Sequence, residues 1–127
     1  MDLALWISAG LLAFVALAGG VTKTLVPREK LAVAHGGGWT GDASTAFVKS
    51  LGILELLAAV GLLLPAALDT APALVPATAV CWTLLMVGAM ITHGRRGESA
   101  LVALNLVYLA LAAFVAWGRF GPAPFSG

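Results

Sequence analysis

Four stretches of about twenty apolar residues, each closed by a breaker or a charge, constrain this chain more than any other feature. They run over residues 3–26, 45–68, 73–92 and 99–117. Crossing a hydrocarbon core of about 30 Å as an α-helix takes about 20 such residues. The runs are continuous and do not alternate, so they predict helices and not barrel strands. Pro27 follows the first run, and Asp42 or Ser44 is placed to cap the second. Pro72 and Pro76 open the third, where a missing amide hydrogen costs least. His93-Gly94-Arg95-Arg96-Gly97 closes the third run and Gly118-Arg119 the fourth. Ala16-Leu17-Ala18 has the small-x-small spacing of a signal cleavage site, but only Asp2 and no Lys or Arg precedes the first run, which also continues past that point. It is therefore read as a span. The expected fold is all-α, an integral membrane four-helix bundle forming one domain over residues 1–127.

Composition agrees and excludes several function classes. Hydrophobic residues make up 61% of the 127 and charged residues 10%, against about 25% charge in a soluble domain. That is too little to cover a water-facing surface. Seven basic and six acidic residues leave a net charge of +1, which argues against an electrostatic nucleic-acid binder. One cysteine, Cys81, excludes an internal disulfide, a CxxC pair and a Cys-ligated iron–sulfur cluster. Two histidines, His35 and His93, leave little for a metal or haem site. Gly36-Gly37-Gly38 lacks the strand before and helix after that a phosphate-binding loop needs, and is read as a turn.

An even number of spans places both termini on one side, with the short turn around 69–72. The loops at 27–44 and 93–98 lie on the other. Lys23, Arg28, Lys30, Lys49, Arg95 and Arg96 fall on the loop side and only Arg119 on the terminal side. The positive-inside rule then expects the loops in the cytoplasm and both termini outside. Within the first loop, Pro27 to Val33 is expected to form a short interfacial helix, and the glycines a flexible hinge that leaves Trp39 at headgroup level. Arg95 and Arg96 are expected to meet lipid phosphates. Trp6 and Trp117 fit an outer aromatic belt.

Polar residues inside the spans carry the functional signal, because an ionisable group at mid-bilayer costs about 2.5–3.5 kcal/mol on insertion scales. Glu55 lies about 10–15 Å from the loop-side surface, Asn105 about 9–10 Å and Tyr108 about 13–14 Å. Lys23, Thr92 and His93 occupy last turns on the same side. Small residues share faces with these groups. Leu5, Ser8, Ala9, Leu12, Ala16, Gly19, Gly20 and Lys23 form one stripe, and Thr78, Cys81, Leu85, Gly88 and Thr92 another. On the second span Gly52 and Ala59 flank Glu55, and on the fourth Asn105, Tyr108 and Ala112 share a side. A polar pocket in the cytoplasmic half is expected, with Glu55, Asn105 and Tyr108 inside it and Lys23, Thr92 and His93 at its mouth. The plainer reading makes Glu55 an internal strut, paired with Lys23 or hydrogen-bonded to Asn105. Taken one by one, the plain alternatives are that Lys23 and Lys49 snorkel, His93 is interfacial and Cys81 is a small buried apolar residue.

These pieces resemble the DoxX-like family of small four-span bacterial membrane proteins. The likeness rests on Ala18-Gly19-Gly20-Val21-Thr22-Lys23, Leu51-Gly52-Ile53-Leu54-Glu55 and Gly61-Leu62-Leu63-Leu64-Pro65. Gly88-Ala89-Met90-Ile91-Thr92-His93, Arg95-Arg96-Gly97-Glu98, Asn105 and Gly118-Arg119 continue it. The resemblance implies a multi-pass protein of the bacterial cytoplasmic membrane, accessory to a membrane redox system and facing a quinone. The chain's own residues supply no electron carrier, so any redox service requires a bound organic molecule such as a quinone. Three readings stand at this point. Tyr108, Asn105 and His93 bind a lipophilic molecule's carbonyl oxygens while Glu55 relays protons. Or Glu55 is the general acid or base of a cofactor-free enzyme on an apolar substrate, with Asn105 or Tyr108 polarising it. Or the bundle is a scaffold, as a homo-oligomer or docked to a larger complex.

Overall fold

The computed structural model describes residues 1–34 and 36–125; His35 lies outside them. Helix α1 spans Asp2–Leu25, α2 Arg28–Val33, α3 Thr45–Ala67, α4 Leu74–Arg95 and α5 Ser99–Phe120, with a 3-10 turn at Gly38–Asp42 between α2 and α3. The four long helices are each long and apolar enough to cross a membrane. They form a closed ring in which α1 packs on α3 and α5, and α4 on α3 and α5. Large apolar side chains such as Phe14, Leu54, Leu57, Leu84 and Val107 point outward. In a membrane this is the surface that meets lipid, where helices satisfy every backbone polar group internally.

Local chemistry sets the helix ends. Ser44 caps α3 by accepting from the Phe47 amide at 3.1 Å, whereas Asp42 faces Arg96 instead. α3 closes with Asp69 in the left-handed region (φ 50°), the Thr70 amide donating to Pro65 O at 2.9 Å and the Asp69 amide to Ala66 O at 3.2 Å. α4 runs three residues beyond the expected Thr92 and closes the same way. Gly97 takes φ 72°, its amide donates to Gly94 O, and the Glu98 amide donates to His93 O at 2.9 Å. This pairing of last carbonyls with amides just beyond the helix makes the connection to α5 tight.

The core stripe of α1 is Leu5, Ser8, Ala9, Leu12, Ala13, Ala16 and Gly20, close to the expected one. That of α4 is different. Its buried residues are Val75, Pro76, Ala79, Trp82 and Met86, while Gly88 and Cys81 are exposed. Cys81 is thus not a buried apolar residue: it sits one position, about 100°, from Trp82. The small-residue stripe of α4 is split because the bundle interior is filled here by a tryptophan and a methionine. At the α1–α3 crossing, by contrast, small residues decide the packing. A Cβ added at Gly20 would lie 2.9 Å from Gly52 O, and one at Gly52 would lie 2.9 Å from the Thr24 amide nitrogen.

The first loop is ordered by its charges. Arg28 Nη1 donates to the carbonyls of Thr40, Gly41 and Ala43 at 3.1–3.3 Å. Arg96 bonds Asp42 Oδ2 at 3.0 Å, and its guanidinium lies close over Gly38. The expected short helix is present as α2, but Gly38 and Trp39 belong to the 3-10 turn and not to a loose hinge. Arg96 is engaged within the protein and not left for lipid phosphates.

Candidate functional site

The loop half of the bundle encloses a cavity of about 420 Å³. Its walls bring together side chains from all four long helices: Lys23 from α1, Glu55 from α3, Thr92 and His93 from α4, Asn105 and Tyr108 from α5. Each helix presents them through its stripe geometry. Val48, Gly52 and Glu55 share the buried face of α3, and Asn105 and Tyr108 lie three apart on α5, with the buried Ala112 four further on.

Glu55 is 7% exposed, and its two carboxylate oxygens accept from Lys23 Nζ at 3.1 and 3.0 Å. Lys23 therefore turns inward and does not snorkel, because Glu55 offers a charged partner that lipid headgroups would have to match. Gly19 makes room for the pair: a Cβ there would stand 3.0 Å from Glu55 Oε2. Lys49 does not reach for headgroups either. Its amine donates to Thr24 O at 2.8 Å, a carbonyl near the C-terminal, electronegative end of α1.

The other polar groups divide into engaged and unengaged. Thr92 Oγ1 donates to Gly88 O at 3.0 Å, and His93 Nδ1 lies 2.9 Å from Glu98 Oε1. Asn105 Nδ2 and Trp82 Nε1 are buried donors without a partner among the described residues, and both residues line the cavity. Buried donors are nearly always satisfied, and an unmet one costs about 1–3 kcal/mol.

Sequence reasoning missed Trp82, Trp39 and Phe47, which complete the walls. Trp39, expected at headgroup level, sits in the loop that Arg28 and Arg96 anchor and also lines the cavity. For Trp82 the signal was present: Val75, Ala79, Trp82 and Met86 repeat at helical spacing. It also missed a second polar cluster at the opposite end. Arg119 is 4% exposed and bonds Asp2 Oδ1 at 2.7 Å. Its guanidinium sits 3.9 Å from the Phe125 ring centroid and 5.9 Å from that of Trp6. The spacing 105, 108, 112, 115, 119 on α5 places Arg119 on the core stripe, as 2, 5, 9, 12 places Asp2. Of the two tryptophans expected in an outer belt, Trp117 is exposed and stacks on Phe114, while Trp6 packs edge-on against Phe125.

A ring of four long apolar helices, with polar and apolar side chains together lining a cavity in its loop half, is the build of a multi-pass membrane protein. The chain belongs to the DoxX-like family, whose sequence profile matches residues 7–115. Searches of curated proteins and of solved structures gave no significant match.

Proposed function

We propose that the cavity binds a lipophilic small molecule bearing carbonyl oxygens, of the quinone class, and that the protein serves a membrane redox system through it. The observation that carries this reading is the pair of buried, unpartnered donors, Asn105 Nδ2 and Trp82 Nε1, on the wall of one cavity. Its 420 Å³ lies within the about 300–1,000 Å³ of small-molecule sites. Apolar walls from Val15, Leu51, Leu85 and Met86 suit a hydrocarbon ring or tail. A bound quinone would supply the electron- and proton-carrying chemistry that the side chains lack. Asn105 and Trp82 donate to the acceptor oxygens, with Tyr108 beside them, and Lys23 and Glu55 hold an exchangeable proton at the cavity wall. Thr92 and His93 shape the loop-side end. The rival acid–base reading has to open the Lys23–Glu55 pair before Glu55 can act, since both carboxylate oxygens already accept from Nζ.

Decylubiquinone titrated into the detergent-solubilised protein tests this through tryptophan emission, because Trp39 and Trp82 line the cavity. Saturable quenching is expected, with affinity weakened about tenfold by Asn105→Leu, as loss of a buried hydrogen bond implies. Quenching that rises linearly without saturation, or that is unchanged in Asn105→Leu, overturns the reading.

The excess of Lys and Arg on the loop side supports an orientation with loops in the cytoplasm and termini outside, in the bacterial cytoplasmic membrane that the family resemblance implies. A fluorescent protein that matures only in the cytoplasm, fused after Phe125, is expected to stay dark. Bright fusions would reverse the orientation.

A further inference from the structure

The terminal end of the bundle holds a second cavity, of about 200 Å³, walled by alanine, proline and phenylalanine side chains and one charged residue, Arg119. An arginine buried to 4% exposure in such surroundings has all its donors withdrawn from water. Nη1 is satisfied twice, by Asp2 Oδ1 at 2.7 Å and by Ala123 O at 3.0 Å. Nη2 is buried with no partner among the described residues. Phe125, which also lines the cavity, holds the guanidinium plane from one face. The same wall carries the start of α4: Ala71, Pro72, Ala73 and Pro76 line the cavity. The first amides of the helix are already taken, Leu74 N–H by Ala71 O and Val75 N–H by Pro72 O, while Pro76 has none, so the helix offers its dipole and not free donors. A 22-residue helix presents about half a positive charge at that end. The αL turn at Ala71 (φ 47°) leads the chain into this arrangement. A buried guanidinium with one unmet donor, lining the same apolar-walled cavity as the positive end of a helix dipole, has the chemistry of a site for an oxyanion attached to something greasy.

We infer that this cavity is a binding site for a phosphate oxyanion, distinct from the loop-side cavity, with Arg119 as its donor and the N-terminus of α4 as its electrostatic partner. Asp2 already takes one arm of Arg119 and is itself exposed over 70% of its side chain, so it competes with an incoming anion and does not help bind it. The source is either the headgroup of an anionic lipid, whose chains the surrounding apolar surface accommodates, or free phosphate from the aqueous side.

The test uses the full chain in neutral detergent, with thermal unfolding followed against added phosphatidylglycerol, phosphatidylcholine and inorganic phosphate. Saturable stabilisation by phosphatidylglycerol is expected, with phosphatidylcholine clearly weaker. Arg119→Gln and the charge-conserving Arg119→Lys should both weaken it about tenfold, as loss of a charge-assisted bond implies. Asp2→Asn should tighten it by up to about fivefold, the worth of an exposed ion pair, which a merely structural role for Arg119 would not produce. Stabilisation by inorganic phosphate with the same variant pattern assigns the site to the free anion, and its absence assigns it to the lipid. Equal stabilisation by both lipids, or an unchanged response in Arg119→Lys and Asp2→Asn, overturns the proposal.

Discussion

Lys23→Ala is expected to destabilise the bundle by about 3 kcal/mol, the lower end of the range for breaking a buried ion pair by removing one partner. The lower end applies because Lys23 keeps 22% of its side chain accessible while Glu55 keeps 9%. The cost comes from the carboxylate left behind: among the described residues both its oxygens accept only from Lys23 Nζ, and Gly19 closes over them. Removing both charges in Lys23→Met/Glu55→Leu should recover most of that loss, since a hydrophobic replacement of a buried pair is often neutral. Reversible unfolding in mixed micelles measures both. A loss below about 0.5 kcal/mol for Lys23→Ala would mean that the pair does not hold α1 to α3. The same double variant separates strut from site. If it folds and still quenches with decylubiquinone as the parent does, the pair only fastens helices. If it folds and no longer binds, the pair belongs to the guest.

Gly52→Val should cost about 3 kcal/mol, the upper end for overpacking a close contact. A Cβ at this position would stand 2.5 Å from Thr24 Oγ1 and 2.9 Å from both Lys23 Cβ and the Thr24 amide nitrogen. Two of these three neighbours belong to the α1 main chain or the root of a side chain, so the helices must separate. Gly52→Ala should cost less, because alanine's better helix propensity, worth about 1 kcal/mol, offsets part of the clash. By contrast Gly88→Ala meets nothing within 4 Å and should be neutral or slightly stabilising. Unfolding midpoints of the three variants check the order. A Gly52→Val protein as stable as the parent would contradict the close α1–α3 crossing.

The bundle was legible in the sequence because hydrocarbon imposes a length and an apolar composition on every span, and little else has that signature. The polar residues converging on the loop half were legible for a related reason: an ionisable or amide side chain within a span is held at a depth fixed by 1.5 Å per residue. What depth could not give was rotation. Choosing the α4 face by its small residues put Cys81 inward and overlooked Trp82, because small-residue packing governs the α1–α3 crossing at Gly20 and Gly52 but not the α4 interior. The pairing of Lys23 with Glu55, 32 residues away, was one of two partners open to Glu55, because depth puts Lys23 and Asn105 equally within its reach and only rotation separates them from a snorkelling lysine. Arg119 was read as a terminator, since it closes a run, although its spacing from Asn105 and Tyr108 marks the buried stripe. The course of the loop depended on Arg28 and Arg96 bonding across it, long-range contacts that no local pattern announces.

The central claim is that the cavity between Glu55, Trp82 and Asn105 holds a lipophilic guest through two donors that the protein itself leaves unmet. Mass spectrometry of organic extracts from gently purified protein tests it most directly, with Asn105→Leu and Glu55→Leu proteins purified alongside. A quinone or other carbonyl-bearing apolar molecule, near one per chain in the parent and depleted in Asn105→Leu, is the predicted result. Bulk phospholipid alone, in equal amounts from all three proteins, would contradict it.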